Sequence, residues 1–469
     1  MITECKSTSI ILLTCVGLSG CQIHPDYQPP EAPVPATWNA NDSESESGKI
    51  ISSADAFFKD DKIRHIVYLT SEKNQDLRTS ALNLRKVYAL YGMQRLASLP
   101  SVNASLGQTS AHLPAGLLDT VDTGAITYHQ YDAKLVSASW ELDLWGRVRS
   151  LKDAALYDYL ANGAQARALK LETIGQSVSA YLTLLADRNR LLLSEKKTAN
   201  LKTIFAMYQA SYQLGETSLE EVTLYENNLQ RAAQYDAALR LSVQKEYDAL
   251  QFMLGGAIPE ALMSDEAFDH DWEFGNLKPG LPANILLKRP DVIAAEYRMR
   301  QANADMGAAR AAFYPSITLT AEGGSSSAAL KNLFSAGTAA WSFSPDITLP
   351  IFNNGRNKAN LEAAELTQQA AAADYEKTLQ QAFRDVSDAL AGRIAQQTQY
   401  TLSAQLFSTA QKNLEMTRQS IRAGEKNKLA ALEAENNLID AEEDKITSKL
   451  QLLLQNVQLY EVLGGYTVT

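Results

Sequence analysis

Two periodicities of apolar residues follow one another along this chain, and the succession occurs twice. Val102, Ala104 and Leu106 alternate with Ser101, Asn103 and Ser105. Val136, Ala138, Trp140, Leu142 and Leu144 alternate with Ser137, Ser139, Glu141 and Asp143. In the second half, Ile317, Leu319 and Ala321 alternate with Ser316, Thr318, Thr320 and Glu322, and Trp341, Phe343, Ile347, Leu349 and Ile351 form one face of a fourth segment. A period of two predicts strands with one apolar and one polar face. After each pair of strands the period changes. Leu171, Ile174, Val178, Tyr181, Leu185 and Leu192 fall on spacings of 3, 4, 3, 4 and 7, a coiled-coil seam. No proline occurs between Pro114 and Pro259 or after Pro350. A proline inside a helix costs about 3 kcal/mol, so these spans permit unusually long helices. At about 1.5 Å per residue, the stretch 146–214 would extend roughly 100 Å.

The two halves share a register. Gly146-Arg147 matches Gly355-Arg356, Gly215 matches Gly424, Asn227-Asn228-Leu229 matches Asn436-Asn437-Leu438, and Leu254-Gly255-Gly256 matches Leu463-Gly464-Gly465. Each match lies 209 positions from its counterpart, the difference between 355 and 146. Pro100-Ser101-Val102 resembles Pro315-Ser316-Ile317 at 215, so the first strand hairpin is about six residues longer. The expected division is repeat 1 at 55–256 (strands about 100–143, long helices about 146–254), a linker at 257–289, and repeat 2 at 290–469 (strands about 315–352, long helices about 355–463). Gly146 and Gly355 stand where strand becomes helix, and Gly215 and Gly424 where one long helix turns into the next. Asp143 and Arg147 could pair with each other, but both are expected to face water.

Alternation alone fits either a sandwich with one wet side or a membrane barrel with lipid outside and water inside. Tyr128, Tyr131, Trp140, Trp145, Tyr314 and Trp341 near the strand ends fit interfacial belts. Four strands cannot close a membrane barrel, because known barrels begin at about eight. Unpaired strand edges cannot face lipid, where each exposed backbone group costs several kcal/mol. Membrane strands here therefore require several copies, and a water-filled conduit requires at least three, giving twelve strands.

The N-terminus carries a separate signal. Ile10, Ile11, Leu12, Leu13 and Val16 form an apolar run too short to span a bilayer, followed by Leu18-Ser19-Gly20-Cys21. Residues 1–20 read as a signal peptide, and the sequence before Cys21 resembles a lipobox, whose cysteine receives a diacylglycerol thioether. Of the three cysteines, Cys5, Cys15 and Cys21, cleavage would leave one, so no intrachain disulfide is expected. By resemblance to bacterial lipoproteins, Gln22 after the cysteine favours outer-membrane sorting. Pro25, Pro29, Pro30, Pro33 and Pro35 begin an extended tether covering 21–54.

The net charge of −11 with no basic run argues against a nucleic-acid partner. His24, His65, His112, His129 and His270 show no metal-ligand spacing, no phosphate-binding glycine loop occurs, and Gly323-Gly324-Ser325-Ser326-Ser327 lies between alternating strands. Neither catalytic nor metal residues are expected, and no cofactor beyond the lipid on Cys21.

Pro25-Asp26-Tyr27, the segment Trp140 to Arg147, Lys288-Arg289-Pro290-Asp291-Val292, Ala308 to Pro315 and Leu349 to Arg356 together resemble the outer-membrane factor family, in its lipoprotein branch of OprM and NodT type, related to TolC. The resemblance spans Cys21 to the C-terminus. It implies a mainly α fold with a membrane β-barrel portion: two repeats of two strands and long coiled-coil helices, whose homotrimer forms a 12-stranded barrel in the outer membrane and an α-helical barrel in the periplasm. It implies a periplasmic adaptor (membrane fusion protein) and an inner-membrane resistance-nodulation-division pump as partners. The expected function is passive efflux of drugs or other small toxic compounds through an iris gate at the periplasmic tip. By position, Glu221 and Lys426 correspond to gate partners and Glu433 to a carboxylate ring facing the pore, which would favour cations. Ala430 and Ile421 depart from the family at positions of a second aspartate and a gate tyrosine. The exit duct of a type I protein-secretion system and a lipid-anchored periplasmic coiled-coil scaffold stand as alternatives.

Overall fold

The computed structural model of the 469-residue chain describes residues 50–52, 54–114, 125–263, 268, 270–275 and 283–468. Cys21, the signal segment and nearly all of the tether lie outside the described residues.

In chain order the elements are β1 (Ile50–Ser52), α1 (Ala54–Phe57), α2 (Asp61–Lys73), α3 (Gln75–Leu96), β2 (Val102–Leu113), β3 (Ile126–Glu141), α4 (Arg147–Gln213), α5 (Leu219–Met253), α6 (Pro290–Ala311), β4 (Ser316–Ser327), β5 (Ala339–Thr348), α7 (Arg356–Arg422), α8 (Lys428–Val462) and β6 (Tyr466–Val468). Helix, strand, strand, long helix, long helix occurs twice. Helices α4 and α7 have 67 residues each and α5 and α8 have 35 each. Both pairs begin and end 209 positions apart, as 356 less 147 and 428 less 219 show.

The chain forms two compact units, and each draws on both repeats. The first contains Leu84–Asn162 and Ala294–Tyr375. Its centre is a four-stranded antiparallel sheet in the order β2-β3-β4-β5, so the repeats join at the β3–β4 pair and β2 and β5 are open edges. Val102, Ala104, Leu106, Ala133, Leu135, Ala321, Leu319, Ile317, Trp341, Phe343 and Ile347 share one face by register. This face is uncovered: Leu106 is 80% and Trp341 82% exposed. The opposite face carries Lys134 between Asp132 (3.3 Å) and Glu322 (3.7 Å), with the Ser342 hydroxyl donating to Glu322 at 2.9 Å. Gly324 fits where Ala133 and Lys134 approach closely, since a Cβ there would lie 2.1 Å from the Ala133 carbonyl oxygen.

One expectation about β3 is corrected here. Its apolar residues from Val136 to Trp140 do not lie on one face. Ser137 pairs with Ala321 but Trp140 pairs with Leu319, so three steps on β3 match two on β4. This bulge reverses the phase of the alternation. Val136, opposite Glu322, lies on the polar face, whereas Trp140, opposite Leu319, lies on the apolar one.

The second unit contains Gly163–Ile293, Glu376–Thr469 and the segment leading to Asn83. Ile174, Val178, Tyr181 and Leu185 of α4 are buried, in keeping with the heptad seam, but Leu192 is 62% exposed. Leu182, Leu184 and Ala186 are fully buried beside the seam. The reason is a further layer: the Tyr181 hydroxyl donates to the Leu262 carbonyl (3.0 Å) and Arg188 to that of Met263 (2.9 Å), so the segment after α5 covers a side that a two-helix seam leaves wet. Phe57, fully buried, stacks on Tyr460 at 4.8 Å, and the short β1–β6 pair lies in the same unit. Asn74 caps α3 through Asp76 N and Leu77 N and donates to the Met253 carbonyl at the end of α5. Among the described residues no helix is long and apolar enough to cross a membrane.

Candidate functional site: a strand edge, two junctions and two helix turns

At the first strand-to-helix junction, Gly146 takes φ +79°, a left-handed conformation that glycine adopts without strain. Trp145, ahead of it, donates from Nε1 to the Pro315 carbonyl at 2.7 Å and stacks on Tyr314 at 5.0 Å. Contrary to expectation, Asp143 and Arg147 neither simply face water nor bond to each other. Asp143 caps α4, accepting from Val148 N (3.0 Å) and Arg149 N (2.9 Å), because the first N–H groups of a helix have no partner within it. Arg147 instead makes a two-pronged pair with Glu141, one hydrogen bond measuring 2.8 Å. The second junction keeps the glycine, Gly355 at φ +79°, and adds Asn354 at φ +54°. The charges differ. Arg356 and Lys358 form no side-chain hydrogen bond or ion pair among the described residues. A pocket of about 370 Å³ within this unit is lined by Glu141, Trp145, Arg147, Tyr314, Asn353 and Arg356 among others.

The helix turns lie in the other unit. Gly215 (φ +77°) and Gly424 (φ +79°) end α4 and α7 in the left-handed conformation. Glu221 is part of a capping box: Glu221 N donates to Ser218 Oγ (3.2 Å) and Ser218 N to the Glu221 carboxylate (3.2 Å). The Thr217 hydroxyl also donates to that carboxylate, and this bond holds Glu221 below the ordinary carboxylate range. In the second turn Asn427 caps α8 alone through Ala430 N (3.1 Å). Ala430 occupies the position, 209 further on, that Glu221 occupies in the first. Lys426, exposed in this turn, is not joined to Glu221.

Glu433 is exposed on the second turn of α8 and accepts a hydrogen bond from the Tyr225 hydroxyl at 3.3 Å. Tyr225 stacks on Tyr208 of α4 at 4.1 Å. Its hydrogen bond with Tyr208 and the nearby Glu433 charge hold the phenol well above its ordinary range. The tyrosine pair escapes a sequence reading because no local spacing links positions on three helices. The capping box, by contrast, is legible as Ser218-x-x-Glu221. A groove of about 630 Å³ runs beside these residues, lined by Ser194, Lys197, Tyr225, Arg231, Glu433 and Glu443 among others. Helices α4 and α8 are tied along it by Lys196–Glu435 (2.9 Å), Lys197–Asp440 and Asn200–Asn436 (3.1 Å). Burial pushes the Glu443 carboxyl up to about 6. Among the described residues no group of three or more His, Cys, Asp or Glu could hold a metal ion.

The family model described as outer membrane efflux protein matches residues 66–256 and 281–465. The toluene efflux pump outer membrane protein TtgF of Pseudomonas putida is 36% identical over 98% of this chain and 97% of its own length. The outer membrane protein OprJ of Pseudomonas aeruginosa is 33% identical over 97% of this chain and 95% of its own. The open-state structure of the Neisseria gonorrhoeae MtrE outer membrane channel superposes with a TM-score of 0.83 at 32% identity, covering 95% of this chain and 98% of that one.

Proposed function

The chain belongs to the outer membrane efflux protein family, and from that premise we propose that three copies form a passive duct that carries drugs, solvents or other small toxic compounds across the outer membrane. The chain is the outer-membrane channel component of an efflux system. The observation that carries the trimer is the sheet: four strands, two open edges, and an uncovered apolar face backed by a face of charges and hydroxyls. Such a sheet is stable in lipid only when its edges are paired, and twelve strands close around a water-filled lumen. In each repeat a 67-residue helix separates the membrane strands from the Gly215 and Gly424 turns, which supports a gate at those turns on the periplasmic side. A periplasmic adaptor and an inner-membrane pump would supply cargo and energy.

Glu433, exposed and repeated three times, supports a carboxylate ring that favours cations. Glu221 serves the gate by fixing the first turn through its capping box, and Lys426, exposed in the second turn, is the basic gate partner offered to a neighbouring helix. The test is single-channel conductance of the purified protein in planar bilayers. Wild type should show a small, cation-selective conductance, and Glu433→Ala should lose most of the selectivity while still conducting. A pore whose selectivity is unchanged in Glu433→Ala would exclude the ring, and a protein that stays monomeric and silent would exclude the duct.

Cys21 is proposed to carry the lipid that secures the tether to the inner leaflet of the outer membrane. Intact mass of the mature chain should show cleavage before Cys21 and a diacylglycerol adduct; an unmodified Cys21 would refute the anchor.

A further inference from the structure

The face of the sheet that carries the apolar residues continues beyond them. Residues opposite one another across the strands form rows on that face. From the Ile347–Ile317 row to the row of Ala339, Ser325, Ala133 and Leu106 is four steps of two residues. At about 3.3 Å per residue and a tilt of about 40° they rise roughly 20 Å, and Leu349 one step below extends this to about 25 Å, the height of the apolar band of a membrane barrel. Above it Tyr131 opposes Gln108, His129 opposes Ser110 and Thr127 opposes His112, all on the same face. Tyr131 is half-buried, and the other five are exposed. We propose that this polar extension binds the phosphate of the glycolipid headgroups of the outer leaflet, with His112 and His129 as the contacting donors. The proposal rests on the channel reading, which turns this face toward lipid.

The hydrogen bonds on this face aim donors outward. The Gln108 amide donates to Ser110 Oγ at 3.3 Å, which leaves the Ser110 hydroxyl to donate to His129 Nδ1 at 2.7 Å. An imidazole that accepts at Nδ1 carries its proton on Nε2. The Nδ1 of His112 likewise lies 2.7 Å from the Thr127 hydroxyl, one row higher. The Nε2 atoms of both rings make no hydrogen bond among the described residues. The two histidines are diagonal neighbours, with backbones about 7 Å apart, a span that one phosphate-bearing headgroup covers. No carboxylate shares this face in these rows, since Asp132 lies on the opposite one. Donors without competing anions complement a phosphate, whose hydrogen bonds are charge-assisted.

Height and continuity decide the occupant. Tyr131, at the upper edge of the band, is a residue of the kind that marks a bilayer interface. The rows of Tyr131 and His129 fall roughly 5 to 10 Å above the hydrocarbon, where headgroups lie. The second hairpin stops short of them. Its strand β5 begins at Ala339, and its loop turns back on itself: the Ser325 hydroxyl donates to the Leu333 carbonyl, the Thr338 hydroxyl lies 3.0 Å from the same oxygen, and Leu333 is buried beneath. The longer first hairpin therefore carries the headgroup contact alone, one polar post for each copy of the chain.

The test is native mass spectrometry of the full-length protein in detergent, titrated with lipid A and with dephosphorylated lipid A. Wild type should bind lipid A roughly tenfold more tightly than the double variant His112→Ala with His129→Ala, as the loss of charge-assisted hydrogen bonds predicts. The difference should vanish with dephosphorylated lipid A. Thr109→Ala, on the opposite face of the same strand, should bind lipid A as wild type does. Equal affinity of wild type and the double variant in an intact trimer overturns the headgroup site and leaves the channel reading standing. An equal loss in Thr109→Ala, or wild-type binding that survives dephosphorylation unchanged, overturns the site as well. A wild-type chain that runs as a monomer in the same spectra overturns the channel reading and this proposal with it.

Discussion

The two strand-to-helix junctions share a backbone and differ in what fills it. Both place glycine at φ +79° one residue before a 67-residue helix. At the first, Glu141 holds Arg147, Asp143 caps the helix and binds Arg149, and Trp145 reaches across to Pro315. At the second the same positions carry Pro350, Phe352 and Asn354, which leaves Arg356 and Lys358 without carboxylates. The lesson is a division of labour between duplicated halves. The backbone turn is set locally by glycine and needs no partner. The side chains around it are complete only at the junction that meets the other repeat within the same chain.

The strongest way to break this comparison is to remove what the first junction has and the second lacks. Trp145→Ala deletes a half-buried stacked ring and its hydrogen bond to the Pro315 carbonyl and should lower stability by about 2 kcal/mol. Asn354→Ala at the equivalent position loses no ring stacking and should cost less, about 1 kcal/mol, because alanine tolerates the φ of +54° less well than asparagine. Thermal unfolding of the detergent-solubilised protein by circular dichroism would show it, and equal losses at the two sites would end the distinction. A smaller effect is expected from Glu141→Ala, about 1 kcal/mol, because a half-exposed two-pronged pair is stronger than a surface pair but still screened. Arg356→Ala, with no ion pair to lose, should fall within about 0.5 kcal/mol of wild type.

A pH-dependent effect sharpens the comparison elsewhere in the repeat. Glu461 of α8 is pushed up to about 7 by burial and by Glu172. Its counterpart in α5, 209 positions earlier, is the exposed Phe252. A carboxyl whose folded pKa is raised binds its proton more tightly in the folded state. Its contribution is therefore greatest below the unfolded pKa and is lost as pH rises from about 4.5 to about 7. Glu461→Gln should raise the unfolding free energy at pH 8 by up to about 3 kcal/mol and leave it nearly unchanged at pH 4. An equal shift at both pH values would assign the effect to packing. Gly175 makes room for this carboxyl, since a Cβ there would lie 1.5 Å from Glu461 Oε1.

Much of the architecture is legible in the chain because it is written twice. Gly146 with Gly355, and Gly215 with Gly424, mark element ends by a property of glycine itself, and the strand and helix bounds follow to within a few residues. The bulge between Ser137 and Trp140 is not legible, because Val136, Ala138 and Trp140 mimic an unbroken alternation and only pairing with β4 shows the extra residue. Leu192 reads as part of a seam because periodicity reports a stripe, not where its cover ends. At the turns, the conformations of Gly215 and Gly424 are evident from residue type. The Tyr208–Tyr225–Glu433 chain is not, since it joins three helices distant in sequence.

The matching lengths of the long helices have a consequence for how such a chain can change. Each residue added to or taken from a helix turns everything beyond it by about 100° and moves it by about 1.5 Å. A one-residue insertion in α4 alone would set its far half out of phase with α7, rotating polar positions into places its neighbours fill with apolar ones. The hairpins carry no such clockwork, and there the halves differ by about six residues. Drift in length is thus confined to the strand loops, whereas the 67- and 35-residue helices can be lengthened only in concert, or by steps near seven that restore the phase.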